Sequence, residues 1–181
     1  MDKLNLTKHI SSQFNEEIEQ IRNHVMAMGG LIEQQLSDAL TAIAQSDADL
    51  ARQVIATDLT VNDWEIRIDG ECTRIIAKRQ PAASDLRLIM AIIKAISDLE
   101  RIGDEAAKIA RIAQNLCEEG SSPRGYMETR HIGNQVRVMI HDALDAFARL
   151  DVDQALRVLL ADADIDREYQ SATRTLMTYM I

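Results

Sequence analysis

The sequence predicts an all-α protein built as tandem three-helix bundles, with the first bundle complete and the second bundle lacking its last helix. Three observations carry that prediction. The chain of 181 residues has 7 Gly, 2 Pro and 3% aromatics, too few turn and strand formers for an all-β protein. Long stretches hold apolar residues at helical spacing, with few breaks between them. The first two helical stretches also recur 104 residues later.

The breaks set the elements in order. Ser46-Asp47 ends a helix over 7–45 and caps one over 48–79. Gln80-Pro81 then starts a helix over 82–117, with Pro81 expected in its first turn, where a missing N–H costs nothing. Glu118 to Gly125 (EEGSSPRG) is a loop, and Asp151 separates helices over 126–149 and 152–180. Helices of 30–40 residues run ~45–60 Å at ~1.5 Å per residue, a length that implies an elongated bundle.

In the third helix, Leu88, Ile92, Ala95, Leu99, Ile102, Ala106, Ile109, Ala113 and Leu116 form a seam of period 3.5. A second apolar line, Leu86, Ile89, Ile93 and Ile96, broadens it enough for two neighbours. In the repeat, Gly29 falls on Gly133, Asp38-Ala39-Leu40 on Asp142-Ala143-Leu144, Asp47 on Asp151 and Asp58 on Asp162. The repeat divides the chain into a unit at 1–120 and one at 121–181. An equivalent of the third helix would begin near 185, beyond Ile181. The second unit therefore has two helices, whose apolar faces are expected to pack on the first bundle or on another chain, favouring a homodimer.

Composition excludes several functions. A net charge of −9 argues against nucleic acid as a partner and against docking on anionic lipid. The N-terminus has no apolar signal core, and the most apolar run, Leu88 to Ile96, is interrupted by Lys94. It is about half the ~20 residues of a spanning helix. No direct membrane insertion is expected, and the expected location is cytoplasmic. Cys72 and Cys117 read as buried free thiols in a reducing compartment. There is no GxxxxGK[ST] or GxGxxG loop.

The candidate chemistry lies where apolar lines turn acidic. After Ile96 the second line of the third helix meets Glu100, then Gly103 and Asp104. Glu100 and Asp104 are four apart and share a face. Gly103 in mid-helix costs about 1 kcal/mol against Ala and implies a close approach to the backbone. In the second helix, Val54, Val61, Ile68 and Ile75 point inward, beside a companion line of Ala51, Asp58, Glu65 and Cys72, with Asn62 one turn after Asp58. In the fifth helix Val158, Ile165 and Ala172 point inward and Asp162 with Asp166 forms a DxxxD. If the second and third helices are antiparallel neighbours, Asp58, Asn62, Glu100 and Asp104 converge. Such a cluster implies a bound metal or a raised pKa, and oxygen ligands suit Mg, Ca, Mn or iron. The alternative is a solvated face on which Arg101 and Lys108 pair with these acids. Weaker features read as structure. Glu128 and His131 form a single ExxH, whereas di-iron bundles need two. His9, His24 and His141 read as surface or core-edge residues, and Trp64, Met26, Met28, Met90, Met139 and Met177 as packing.

Two stretches, QPAASDLR at 80–87 and DLERIGDEAAKIA at 98–110, resemble the PhoU family closely, as do His9 to Gly30 and the loop around Pro123. The resemblance implies a fold of two similar three-helix bundles, a cytoplasmic location and no enzymatic activity. It implies negative regulation of the phosphate-starvation response and modulation of phosphate uptake. The implied partners are the ATPase subunit of the phosphate ABC transporter and the membrane sensor histidine kinase. Family members bind metal through E(D)xxxD motifs. Glu100 with Asp104, Asp58 with Asn62, and Asp162 with Asp166 match these positions, so divalent or ferric ions such as Mg, Mn or Fe are the expected cofactors. A full member has a sixth helix with a further ERIGD-type motif. Two other readings remain: a metal-binding bundle of ferritin-like type, and a purely structural helical oligomer.

Overall fold

A computed structural model describes residues 3–120 and 126–179. It contains five helices: α1 Lys3–Gln45, α2 Ala48–Arg79, α3 Ala83–Glu118, α4 Tyr126–Arg149 and α5 Val152–Tyr179. Among the described residues there is no strand. Helices α1, α2 and α3 pack on one another, α4 lies on α1, and α5 lies on α4. The expected loop residues 121–125 lie outside the described residues.

The repeat is visible in backbone detail. Asp47 caps α2, its side chain accepting from the N–H groups of Asp49 and Leu50 at 3.0 and 2.9 Å. Asp151 caps α5 in the same way, accepting from the N–H of Gln154 at 2.9 Å. The preceding residues, Ser46 and Leu150, both turn left-handed, with φ of 52° and 55°. The N–H of Asp47 bonds the carbonyl of Ala42 and that of Asp151 bonds the carbonyl of Ala146, each at 2.9 Å. One corner chemistry therefore serves both helical pairs.

Two expectations need correction. Pro81 is not in the first turn of α3, because Ala82 is the N-cap and the helix begins at Ala83. Gln80 takes a left-handed conformation at the end of α2, and Pro81 follows as the stop. The buried stripe of α3 also runs between the two lines and takes from both: Ile89, Ile92, Ile96, Leu99, Gly103, Ala106, Ala110 and Ala113 alternate by threes and fours, with Ala107 buried beside them. Leu88, Ala95, Ile102 and Ile109 flank it half-buried, since a helix wedged between two others buries the middle of its apolar stripe most.

The core draws Ile21, Val25, Met28, Ile32 and Leu36 from α1 and Val61, Ile68, Cys72 and Ile75 from α2. Toward one end it narrows to Ala39, Ala42, Ala51, Val54, Ala110 and Ala113, so the three helices close in on small side chains. Helix α4 meets α1 through Ile140 and Leu144, both buried. The second unit thus packs on the first through α1. Of the methionines read as packing, Met28 is fully buried, whereas Met90 and Met177 are exposed. Trp64 is half-buried against the core, with the Arg67 guanidinium 5.1 Å above its ring.

Candidate functional site

Helices α2 and α3 run antiparallel, which two contacts fix in register. Ser97 Oγ donates to Glu65 Oε1 at 3.0 Å, and Arg111 approaches Asp58 Oδ2 at 4.0 Å. Glu100 and Asp104 lie between these contacts on α3, and Asn62 lies between Asp58 and Glu65 on α2. The sequence-derived quartet therefore occupies one seam.

The seam carries unbalanced charge. The Glu100 carboxyl is pushed above the usual glutamate range, first by burial and then by Asp104, Glu65 and Asp58, against a lowering influence of Arg101. Asp58 Oδ1 and Asn62 Oδ1 are buried and have no hydrogen-bond partner. The expected pairing of Arg101 and Lys108 with the quartet is not found. Arg101 reaches back to Asp98 at 3.6 Å and Lys108 to Glu105 at 2.7 Å, because partners three residues earlier on the same helix lie closer. Arg111 is the cation that crosses to the quartet, one turn further along.

Gly103 shows why α3 has no side chain there. A Cβ at that position would stand 3.1 Å from Val61 Cγ1 and 3.2 Å from Gln35 Oε1. Gln35 is only 2% exposed, the single buried polar residue among those described. Its Nε2 donates to the Val54 carbonyl at 3.3 Å, while its Oε1 is buried without a partner.

In the second unit Asp162 and Asp166 stand exposed on α5, which packs on α4. Val158 and Ile165 instead line an open groove of about 620 Å³ between α4 and α5, with Met139, Asp142 and Asp164. Among the described residues no three His, Cys, Asp or Glu side chains stand close enough to share one metal ion. The acids of the α2–α3 seam are separate charges around orphaned oxygens. All their donors are oxygen, which fits a hard cation.

Comparison with known proteins decides the family. A family profile described as "PhoU domain" matches residues 25–113 and 129–181. The chain is 61% identical over 181 residues to the phosphate-specific transport system accessory protein PhoU homolog of Pseudomonas putida, covering all of this chain and 71% of the relative. It is 54% identical to the accessory protein PhoU of Escherichia coli K12, covering 75% of that relative. The chain belongs to the PhoU family. The crystal structure of PhoU from Pseudomonas aeruginosa superposes with a TM-score of 0.89 at 59% identity, over 92% of this chain and 80% of that one. The phosphate transport system regulatory protein PhoU from Streptococcus pneumoniae superposes at 0.84 with 29% identity, over 92% and 78%.

Within this PhoU chain, sequence reasoning missed Gln35 and assigned Glu65 no role. Gln35 leaves a signal: it interrupts a buried line of Met28, Ile32, Ala39 and Ala42 at helical spacing. The histidines also find carboxylates across helices that the sequence did not foretell. His24 Nδ1 lies 2.7 Å from Glu71, His131 Nε2 3.1 Å from Glu168, and His141 Nδ1 3.3 Å from Glu33. The side chains of Glu128, the other half of the ExxH, and of His9 lie outside the described residues. No described helix is long and apolar enough to cross a membrane.

Proposed function

We propose that this PhoU chain is a cytoplasmic negative regulator of the phosphate-starvation response that acts by binding rather than by turnover. It links the ATPase subunit of the phosphate ABC transporter to the membrane sensor histidine kinase and so modulates phosphate uptake. The rigid faces of the helical bundle stabilise the kinase in its repressing state through differential contact. The same reading includes a homodimer, for which the exposed Leu156, Leu159 and Leu160 on α5 offer apolar surface.

The observation that supports this reading is the family, whose relatives at 61% and 54% identity are named as accessory proteins of phosphate-specific transport; within it, Glu100, Asp104, Asp58 and Asn62 of the α2–α3 seam are the candidate ion ligands. As the helices stand, Asp58, Glu100 and Asp104 are too far apart to share one ion, so a divalent or ferric ion would bind through part of this set, such as Glu100 with Asp104, and would relieve part of their repulsion. Asp162 and Asp166 would supply carboxylates for a second ion.

The test is a phosphate-regulon reporter in cells lacking this chain. Expression should rise at high phosphate and return to the repressed level on complementation. The Glu100→Gln/Asp104→Asn variant should restore repression only weakly. An unchanged reporter in the deletion strain overturns the regulatory reading. Full complementation by the double variant removes the ion from it.

A further inference from the structure

Four side chains where α1 meets α2 form a closed network that the regulatory reading leaves unused. His24 Nδ1 lies 2.7 Å from Glu71 Oε2, and Arg67 Nε donates to Glu71 Oε1 at 3.1 Å. Arg67 Nη2 stands 3.4 Å from His24 Nε2, while its guanidinium lies 5.1 Å from the centre of the Trp64 ring. The His24 and Trp64 rings are themselves 5.4 Å apart. The repeat does not require this network: 104 residues later the matching positions hold Glu128, Glu168, Ser171 and Thr175.

The arrangement fixes which ring nitrogen carries the proton. A guanidinium only donates, so Nε2 must turn its lone pair to Arg67, and the ring proton sits on Nδ1, donated to Glu71. With a neutral ring every contact sets a donor against an acceptor. A second proton, on Nε2, would set an N–H and a positive charge against the guanidinium and leave the bond to Glu71 intact. The side chains of His24 and Glu71 are 15% and 18% exposed and that of Arg67 is 52% exposed, so Arg67 is the partner with room to leave. Among the described residues, the charged groups that meet His24 come from α2: Arg67 and Glu71, with Arg74 beyond Glu71 in the same cleft. The charges that α3 and α4 bring to α1 lie on its other faces, Asp98 in the cleft beside Val25, and Arg137 and His141 at Glu33.

We propose that His24 is a proton-operated latch between α1 and α2: the neutral ring holds Arg67 across the joint and over Trp64, and proton uptake releases it. The freed guanidinium then joins Arg74 and Lys78, exposed two and three turns further along α2. Acidification thus makes one face of an acidic chain more basic.

The experiment uses the full chain and two readouts. Nitrogen-15 NMR at about pH 8, above the range in which histidines take up a proton, should place the His24 proton on Nδ1, the resonance being assigned by its loss in His24→Gln. Trp64 is the single tryptophan, so emission reports on its surroundings alone. Between about pH 8 and pH 5, where histidine side chains become charged, the wild-type emission maximum should move to longer wavelength as the guanidinium leaves the indole face, with helix content unchanged by circular dichroism. His24→Gln should show no such shift, and Arg67→Met should stand at the long-wavelength position throughout. A proton on Nε2 at the higher pH overturns the latch. So does wild-type emission that ignores pH, an equal shift in His24→Gln, or a shift that comes with loss of helix. The tautomer is read on the wild-type chain, so it decides even where a variant folds poorly.

Discussion

The side chain of Leu40 covers Gly133 so closely that a Cβ there would stand 2.5 Å from Leu40 Cδ2. The relationship is reciprocal: Leu144 covers Gly29, where a Cβ would stand 2.4 Å from Leu144 Cδ2. Leu40 and Leu144, like Gly29 and Gly133, are repeat equivalents. Helices α1 and α4 therefore meet through one knob-and-gap pair used twice, about a local pseudo-two-fold axis. Glu33 and Arg137, also equivalents, sit at the same contact, 3.8 Å apart.

Gly133→Ala should loosen that contact. Leu40 is only 5% exposed and has little room to yield. Overpacking costs about 1–3 kcal/mol, offset by about 1 kcal/mol of helix propensity. Urea denaturation should show a net loss. Combining Gly133→Ala with Leu40→Ala should cost less than the sum of the single changes, by about 0.5–3 kcal/mol. Strict additivity would refute the contact.

Gly103→Ala should destabilise the chain rather than stabilise it, although alanine is the better helix former. The new methyl meets Val61 and Gln35, both buried, at 3.1 and 3.2 Å. A loss of about 1 kcal/mol in thermal or chemical unfolding is expected. A gain would show that the gap is not sterically required.

The ion pair of Glu17 and Arg79 should give the chain a pH-dependent stability. Arg79 Nε and Nη2 donate to the Glu17 carboxylate at 3.1 and 2.9 Å, tying α1 to the end of α2. The hydrogen bond from Arg79 holds the Glu17 pKa below its ordinary value. A depressed carboxylate stabilises the fold above its unfolded pKa, and that contribution is lost as pH falls through the folded pKa. Glu17→Gln should therefore melt below wild type at neutral pH, and the difference should shrink as pH falls below the ordinary glutamate range. A constant difference across that range would contradict the assignment.

The two thiols should react at different rates. Cys72 is fully buried, and burial, with Asp69 and Glu71 nearby, pushes its thiol to about 11. Cys117 is half-buried and free. A disulfide reagent at pH 8 should titrate Cys117 first in the native chain, and Cys72 only on unfolding. Equal rates for both thiols would mean that the α1–α3 core opens readily.

Much of the fold is legible because its determinants are local. Asp47 and Asp151 announce their helices by accepting from the next turn, an interaction within a few residues. The ERIGD acids were legible as a shared face because four residues make one helical turn. The partners of the charges were not. Arg101 and Lys108 each had acids on both sides, and only the closer rotamer geometry chose Asp98 and Glu105. Gln35 was legible as a polar break in an apolar line, but its link to Gly103 joins residues far apart in sequence.

The sequence by itself determined the five helices, the offset repeat and the family, since caps, period and motif all act along the chain. Tertiary structure decided which acids share a seam, that α4 lies on α1 through paired leucines and glycines, and that Asp162 and Asp166 face solvent. These outcomes depend on the register and separation of helices, and helical period specifies which face is apolar without specifying which neighbour covers it.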